Sequence, residues 1–262
     1  MNLGLEGRVA IVCGASKGMG FAIAKSLALN GVKVLMIARN KFLLETAART
    51  ISVEGGIVEI CTGDVCDPGL AELAVNKCKE LWGPVEILLN NAGGPPMGSF
   101  LEHDDMAWDA AIKTNLLSIV RFCRAAAPDM KLNNWGRIIS ITSTVAKEPS
   151  PTMVLSATTR AGVSSFSKAL AMELAKFNIS VNVVCPGGVL TDRLLQLVQV
   201  RAKREKRDYE ELLLESEATI PAGRFARPQE IADVVLFLAS EMGGYINGVS
   251  LSVDGVLTKA YT

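Results

Sequence analysis

Histidine and paired cysteines are scarce in this chain, and their scarcity argues against several kinds of catalytic site. The 262 residues include one histidine, so a zinc site built on imidazoles and a Ser-His-Asp triad are both disfavoured. That residue, His103, lies in the polar segment Glu102–Asp105, where it would at most carry a proton at the rim of a pocket. The six cysteines form no C-x-x-C pair, and a chain of this length does not need disulfides for stability. We therefore predict buried free thiols and no metal site.

Aromatic residues and net charge are also low, which argues against a nucleic-acid partner. Aromatic residues account for 5% of the chain, and 27 Lys and Arg balance 27 Asp and Glu, so neither base stacking nor a basic surface is favoured. No apolar run approaches the roughly 18 residues of a membrane helix, and residues 1–8 carry charges where a secretory signal needs an apolar stretch. The sequence predicts a cytoplasmic protein with no membrane partner.

Short aliphatic runs alternate with longer stretches of helical periodicity. The seven runs are Arg8–Cys13, Val32–Ala38, Ile57–Cys61, Val85–Asn90, Arg137–Thr142, Ile179–Cys185 and Val249–Val253. They are almost continuously apolar, as expected for parallel strands that helices cover on both faces. We predict an α/β fold: a single domain over residues 1–262 with a doubly wound, Rossmann-type sheet of seven parallel strands.

One long segment, Thr191–Pro221, separates the sixth and seventh runs and contains the charged stretch 201–211. Such a stretch is most often the solvated face of a helix. Because ligands of open α/β sheets bind at the carboxyl ends of the strands, the segment also suits a lid. We predict a substrate lid at about residues 190–222.

The glycines that follow the first run are spaced as G-x-x-x-G-x-G and lead into a helix predicted over Phe21–Leu29. Glycine permits a tight turn and lets the backbone approach a diphosphate at the start of a helix. Spaced glycines can also serve a turn alone, but the preceding strand and following helix favour a dinucleotide site. Its residues would be Gly14, Ser16, Lys17, Gly18, Met19 and Gly20.

The second run ends at Arg39, where enzymes that use the non-phosphorylated dinucleotide usually have a carboxylate for the ribose hydroxyls. Lys17 would add a second cation. Two cations beside that ribose favour a 2′-phosphate, so we predict NADP(H) as the cofactor. The alternative is that both residues are surface charges of little consequence.

Further motifs occur in order along the chain, and together they resemble those of the short-chain dehydrogenase/reductase superfamily over essentially its whole length. They are Gly63-Asp64-Val65, Asn90-Asn91-Ala92-Gly93, Asn115, Ser143, Pro186-Gly187-Gly188 with Thr191, and Asp254-Gly255. The chain is similar to 3-oxoacyl reductases and to the reductase of the bacilysin pathway. Asn-Ala-Gly and Pro-Gly-Gly would each suit a turn in any protein, but a turn does not explain their joint order.

The resemblance implies roles for these residues. Asp64 and Val65 would hold the adenine, and Asn91, Ala92 and Gly93 would line the cofactor trough. The residues implied around the nicotinamide are Pro186, Gly188, Val189 and Thr191. Asn115 would order a water relay, although a buried asparagine in a helix can also simply satisfy backbone groups.

The superfamily's Tyr-x-x-x-Lys pair is missing. Alignment on Ala161-Gly162-Val163 puts Ser156 at the tyrosine position and Arg160 at the lysine position. No lysine lies four residues after any of the three tyrosines, Tyr209, Tyr245 and Tyr261. A serine hydroxyl donates a hydrogen bond but hardly a proton, and an arginine keeps its charge. We predict that Ser156 and Arg160 stabilise an oxyanion without protonating it. We also predict that Arg160 binds the cofactor by positioning the nicotinamide ribose.

Other groups could serve the reaction centre. The resemblance implies that Ser143 donates to the same oxygen, although serines at strand ends often serve turns. Lys147 and Glu148 follow closely and are alternative proton carriers, with Lys147 the better one because burial can lower the pKa of a lysine. Charged loop residues usually point to water, so both rank below Ser156.

Loss of the tyrosine favours reduction of a conjugated enone, because an enolate can be held by an oxyanion site and protonated later by water. Reduction of a simple ketone needs a proton at once, and loss of a general acid costs about 10²–10⁴-fold in rate. We therefore predict an NADP(H)-dependent reductase of a small enone or activated carbonyl compound. The alternatives are an ordinary ketone or alcohol oxidoreductase, a cofactor-binding protein that has lost hydride transfer, and an isomerase or lyase.

The resemblance also implies a homotetramer or a homodimer with two-fold interfaces. Helices predicted at Ala107–Leu132 and Val154–Phe177 would form the dimer, and the apolar segment Leu251–Thr262 would pack against another subunit. Alternatively, these helices bury their apolar stripes only on their own sheet.

The predicted walls of the substrate pocket are Gly94–Gly98, Met153–Leu155 and the lid from Leu190 onward.

Overall fold

The predicted strands form one parallel sheet in the structure, a computed structural model that describes residues 3–260. The strands are β1 (Val9–Cys13), β2 (Lys33–Ala38), β3 (Val58–Thr62), β4 (Ile87–Asn90), β5 (Gly136–Ile141), β6 (Ile179–Pro186) and β7 (Ser250–Val253). Their order in the sheet is β3-β2-β1-β4-β5-β6-β7, and neighbours are parallel throughout. The predicted doubly wound α/β fold is confirmed, with strand boundaries within two residues of those expected.

Helices cover both faces of this sheet. They are α1 (Gly18–Leu29), α2 (Lys41–Val53), α3 (Leu70–Leu81), α4 (Asp105–Ile112), α5 (Ser118–Leu132), α6 (Val154–Leu174), α7 (Asp192–Glu205), α8 (Tyr209–Ala218) and α9 (Pro228–Ala239). Residues of α1, α2 and α9 share one apolar core with the sheet, and residues of α3, α5 and α6 share the other. The two cores lie on opposite faces, as in other parallel sheets.

The alternation of side chains along β1 shows why its sequence is continuously apolar. Ala10 and Val12 belong to the core on one face, whereas Val9, Ile11 and Cys13 belong to the core on the other. Successive side chains of a strand point to opposite faces. A strand covered on both faces therefore has no position at which a polar side chain would reach water.

Two predicted helices differ in detail from those observed. The helix expected over Ala107–Leu132 consists of α4 and α5, joined by a π-helical turn at Lys113–Leu117. The helix expected over Val154–Phe177 is α6 followed by a short 3-10 turn. A π-turn widens the helix locally and is often found at functional sites, and this one contains Asn115.

The segment predicted to be a lid folds into α7 and α8, and its charged stretch is more than a solvated face. Arg201 and Arg207 each place a guanidinium nitrogen 2.7 Å from a carboxylate oxygen of Glu215. Arg204 of α7 pairs with Glu102 at 3.1 Å. These ion pairs join α7 to α8 and to the turn at Phe100–Glu102, so part of the predicted solvated charge is used within the lid.

The cysteines are buried free thiols, as predicted from composition, with Cys66 half-buried. All six cysteines are free and five are buried, and burial raises the pKa of Cys123 to about 12.

Within residues 3–260 we find no helix with the length and apolarity to cross a membrane. Tyr261 and the end of the segment Leu251–Thr262 lie outside the described residues.

The buried position of Leu88 in β4 provides a test of the sheet as the core of the fold. Leu88 is 0% exposed, and Leu101 is 90% exposed. We expect Leu88→Ala to lower the free energy of unfolding by about 2–5 kcal/mol, because it leaves a cavity between sheet and helices. Leu101→Ala is the matched control, with an expected change within about 0.5 kcal/mol. Urea denaturation at one protein concentration measures both, and equal effects would contradict this description of the core.

Candidate active site

A cleft of about 650 Å³ lies at the carboxyl ends of the strands, beside the point where the sheet order reverses between β1 and β4. This is where ligands bind in open α/β sheets. The predicted residues that form its wall are Gly14, Ser16, Lys17, Gly18, Met19, Arg39, Asp64, Val65, Asn91, Ala92, Gly93, Asn115, Arg160 and Thr191. Residues from separate segments of the sequence therefore meet in one cleft.

The glycine turn at one end of the cleft is built for close backbone approach. Gly14 and Gly18 have φ of +65° and +57°, which favour glycine. A Cβ on Gly14 would lie 2.7 Å from Nδ2 of Asn91, and a Cβ on Gly20 would collide with the carbonyl of Gly14. Within residues 3–260 no side chain caps the first turn of α1, so its N–H groups are left for an anion. This end of the cleft fits the diphosphate of a dinucleotide.

The two cations predicted at the ribose already have acidic neighbours. Nη1 of Arg39 lies 3.6 Å from Oδ2 of Asp64, with the Arg39 side chain 78% exposed. Nζ of Lys17 lies 2.9 Å from Oδ2 of Asp192. Lys17 therefore links the glycine turn to the lid, whereas Arg39 is the exposed cation at the end of β2.

Asp64 is held in its ionised form. The backbone N–H of Cys66 donates to Oδ1 of Asp64 at 2.9 Å. This hydrogen bond and the nearby positive charge of Arg39 hold the pKa of Asp64 below its usual value. A carboxylate that accepts a backbone hydrogen bond is an acceptor in a fixed orientation.

Asn115 connects the helical wall of the cleft to the loop after β4. Its Nδ2 donates to the carbonyl of Gly93 at 3.0 Å. Its Oδ1 is buried and has no hydrogen-bond partner within residues 3–260. A buried acceptor without a partner is costly, so this oxygen is a natural position for a bound water or a ligand donor.

Arg160 occupies the inner end of the cleft, and Ser156 orients it. Nε of Arg160 donates to Oγ of Ser156 at 3.0 Å, and Nη1 donates to the carbonyl of Ile141 at 3.3 Å. The residues are one turn apart on α6, where side chains at i and i+4 meet. Burial and the positive charge of Arg193 lower the pKa of Arg160 to about 10. The guanidinium is therefore still protonated near neutral pH.

The two serines predicted at the reacting oxygen are not part of the cleft wall. Ser156 is buried against Arg160. Ser143 is half-buried, and its Oγ accepts from the backbone N–H of Val145 at 3.4 Å at the start of a 3-10 turn. The structure brings Arg160 to the cleft and places both hydroxyls outside its lining.

Four residues predicted to bind cofactor lie outside the wall and support it instead: Gly20, Pro186, Gly188 and Val189. A Cβ on Gly188 would lie 2.8 Å from Cδ1 of Phe225. Val189 pairs with Ala226 through an isolated β-bridge. The Pro-Gly-Gly segment therefore packs closely beneath the lid, and Thr191 is the predicted residue of this motif that lines the cleft.

The alternative proton carriers are placed away from the cleft wall. Oε1 of Glu148 accepts backbone N–H groups of Lys259 and Ala260, the latter at 2.7 Å, so this carboxylate binds the C-terminal segment. His103 packs against Gly98. Lys147 ends the 3-10 turn after Ser143, and none of the three lines the cleft.

Sequence reasoning missed Arg193, which lies at the rim of the cleft in the first turn of α7. Its Nη2 donates to the carbonyl of Pro95 at 2.7 Å. Positive side chains are unfavourable at the start of a helix, where the macrodipole is also positive. That local conflict is the sequence signal by which Arg193 could have been found.

Comparison with known proteins shows the family of this chain and agrees with its fold. The family model for short chain dehydrogenases matches residues 8–201. The 3-oxoacyl-[acyl-carrier-protein] reductase FabG of Escherichia coli is 36% identical over 253 residues, which cover 97% of this chain and 98% of the relative. The family match extends over the glycine turn, Asn115 and Arg160.

Two solved structures share the whole fold. L-sorbose reductase from Gluconobacter frateurii, complexed with NADPH and L-sorbose, superposes with a TM-score of 0.94 at 32% identity, covering 99% of this chain and 100% of that one. YwfH, an NADPH-dependent reductase involved in bacilysin biosynthesis, superposes with a TM-score of 0.91 at 30% identity, covering 97% and 99%. The chain is an oxidoreductase of the short chain dehydrogenase family.

Proposed function

We propose that this protein is an NADP(H)-dependent reductase of a small conjugated enone or activated carbonyl compound. The observation that carries the proposal is the buried pair Arg160–Ser156 at the inner end of the cleft. By the sequence resemblance, we place this pair where the superfamily has its lysine and tyrosine. A permanent cation in a water-poor site stabilises a developing oxyanion. It does not supply a proton near neutral pH.

The cofactor assignment is supported by relatives and by the cleft itself. L-sorbose reductase and an actinorhodin polyketide ketoreductase, two structural neighbours, were solved with NADPH. In this chain, Gly14 and the uncapped start of α1 would receive the diphosphate, and the exposed Arg39 would receive the 2′-phosphate. When bound, NADPH supplies the hydride.

The residues at the inner end of the cleft then have distinct tasks. Arg160 attracts the negative charge that develops on the substrate oxygen, and Ser156 fixes the direction of its guanidinium. Asn115 offers its buried Oδ1 to a water that can later return a proton. Ser143 is proposed as a further donor to the oxygen, which requires its hydroxyl to turn from Val145 toward the cleft.

Reduction of a saturated ketone is the second candidate, and the relatives favour it. By their names, the Escherichia coli protein reduces a 3-oxoacyl group and the Gluconobacter protein reduces L-sorbose. Both reactions produce an alkoxide that must be protonated at once. In favour of enone reduction, the Arg160–Ser156 pair of this chain provides charge without an easily released proton.

Steady-state oxidation of NADPH with matched substrates tests the proposal. We expect cyclohex-2-enone-type substrates to be turned over at least about 10²-fold faster than the corresponding saturated ketones, which is the cost of a missing general acid. Exclusive turnover of saturated ketones would contradict enone reduction. Tight NADPH binding without oxidation of any substrate would favour a non-catalytic role, and product without cofactor turnover would indicate an isomerase or lyase.

Variants in the same assay separate the two side chains. Arg160→Ala should lower turnover roughly 10²-fold, as loss of an oxyanion donor does, and should also weaken cofactor binding. Ser156→Ala should mainly lower turnover. Ser167→Ala is the matched control, because Ser167 is a buried serine on the same helix whose hydroxyl has no hydrogen-bond partner within residues 3–260. The double variant Ser156→Tyr, Arg160→Lys should not improve enone reduction.

The cofactor preference is a separate prediction from Arg39. We expect NADPH to bind at least about tenfold more tightly than NADH, which corresponds to about 1.4 kcal/mol. Arg39→Asp should reverse that order, because a carboxylate repels the phosphate and accepts from ribose hydroxyls. Calorimetric titration of both dinucleotides measures this. Equal affinities in the unaltered protein would show that Arg39 and Lys17 are only surface charges.

We also propose a cytoplasmic homotetramer or homodimer that acts on a small molecule. Large apolar side chains on the expected dimer helices are exposed, with Leu132 at 85% and Met172 at 77%. A second subunit would remove them from water. Light scattering should give the mass of four chains, or of two, at micromolar concentration. The mass of one chain would show that these helices serve only their own sheet.

A further inference from the structure

Two guanidinium groups face the same open space beside Gly94. A Cβ built on Gly94 would lie 3.4 Å from Nη2 of Arg193 and 3.6 Å from Nη2 of Arg160. These are ordinary contact distances, so the space would accept a small group without displacing either side chain. The arginines come from α6 and α7, and Gly94 comes from the loop after β4. The arrangement therefore exists only in the folded protein.

Neither guanidinium is neutralised by the described part of the chain. Arg160 bonds to the Ser156 hydroxyl and the Ile141 carbonyl, and Arg193 bonds to the Pro95 carbonyl. Within residues 3–260, neither forms an ion pair with a carboxylate, whereas Arg201, Arg204 and Arg207 of the same lid all do. The positive charge of Arg193 also lowers the pKa of Arg160, so the two repel each other across the cleft.

Such a placement is unfavourable for the protein alone. Arg160 is buried, and a buried charge without a counter-charge costs free energy. Arg193 is in the first turn of α7, where the helix dipole disfavours a cation. An anion between the two would offset the cost of burying Arg160, the unfavourable interaction of Arg193 with the helix dipole, and the repulsion between the two guanidinium groups. A bound anion would therefore explain the positions of both arginines, which the packing of the lid does not explain.

The diphosphate of the cofactor already has a different receptor. The glycine turn and the start of α1 form the anion site after β1. Arg193 reaches instead to Pro95, on the loop that leads away from Asn91–Gly93 toward the predicted substrate wall. The space beside Gly94 therefore lies where the cofactor trough meets the substrate end.

We propose that Arg193, together with Arg160, binds a carboxylate of the substrate in the space beside Gly94. This substrate class rests on the reductase function proposed above and narrows it to carbonyl compounds that carry a carboxylate. A carboxylate can accept from both guanidinium groups, and such charge-assisted hydrogen bonds are strong and directional.

Binding to the complex with NADP⁺ tests the proposal without requiring turnover. The probes are 4-oxopentanoate and benzoate, each compared with its methyl ester by calorimetry. We expect at least one acid to bind at least about tenfold more tightly than its ester. Arg193→Met should abolish that preference while the affinity for NADP⁺ stays within about twofold.

Two further variants separate charge from structure. Arg204→Gln is the matched control, because Arg204 also reaches from α7 across to the loop that precedes α4, but pairs there with Glu102. It should retain the preference for the acid. Gly94→Ala should lose the preference while keeping both arginines, since the new methyl group meets no atom closer than 3.4 Å and occupies the space between them.

The remaining outcomes distinguish a carboxylate subsite from a contact with the cofactor. No preference for either acid over its ester, including no binding of any probe, overturns the proposal. An Arg193→Met protein that loses NADP⁺ affinity tenfold but keeps an acid preference would assign Arg193 to the cofactor diphosphate and would also overturn it. A preference for acids in a protein that reduces no enone would support the subsite and contradict the proposed reaction, so the two can fail separately.

Discussion

A parallel sheet that is covered by helices on both faces can receive a ligand only at the ends of its strands. In this protein β1 and β4 are neighbours whose following segments leave in opposite directions, and the turn after β1 packs closely on Asn91 after β4. The glycines at 14 and 20 are the residues that allow this packing. The positions of the cleft, of the glycine turn at one end and of Arg160 at its inner end all follow from that one geometric constraint.

Charge is the second organising feature, because the inner end of the cleft contains a cation that no carboxylate within residues 3–260 neutralises. A lysine in that place could lose its proton after moderate burial, whereas Arg160 is still protonated near neutral pH with its pKa lowered to about 10. Ser156 and the Ile141 carbonyl fix the plane of the guanidinium. The site is therefore suited to holding negative charge more than to exchanging protons.

The lid is connected to the cleft by polar contacts at both ends of α7. Lys17 pairs with Asp192 and Arg193 bonds to Pro95 near its start, and Arg204 pairs with Glu102 near its end. Exposed ion pairs are individually weak and are screened by salt. By contrast, Val198, Ala202 and Leu212 form a small apolar core between α7 and α8. The two helices thus form a packed unit, and the polar contacts at the ends of α7 are ones that water can replace.

The sequence alone determined the seven strands, the glycine turn and the family resemblance, and it predicted the replacement at Ser156 and Arg160. These follow from local rules: residues buried on both faces must be apolar, and a tight turn needs glycine. It did not show that the hydroxyls of Ser143 and Ser156 lie outside the cleft wall, that Lys17 pairs with Asp192, or that Arg193 joins Arg160 beside Gly94. The cleft wall and the last two contacts bring together residues that are distant in the chain, so only tertiary packing decided them. No periodicity or spacing in a sequence encodes the direction in which a long charged side chain turns once three separate segments meet.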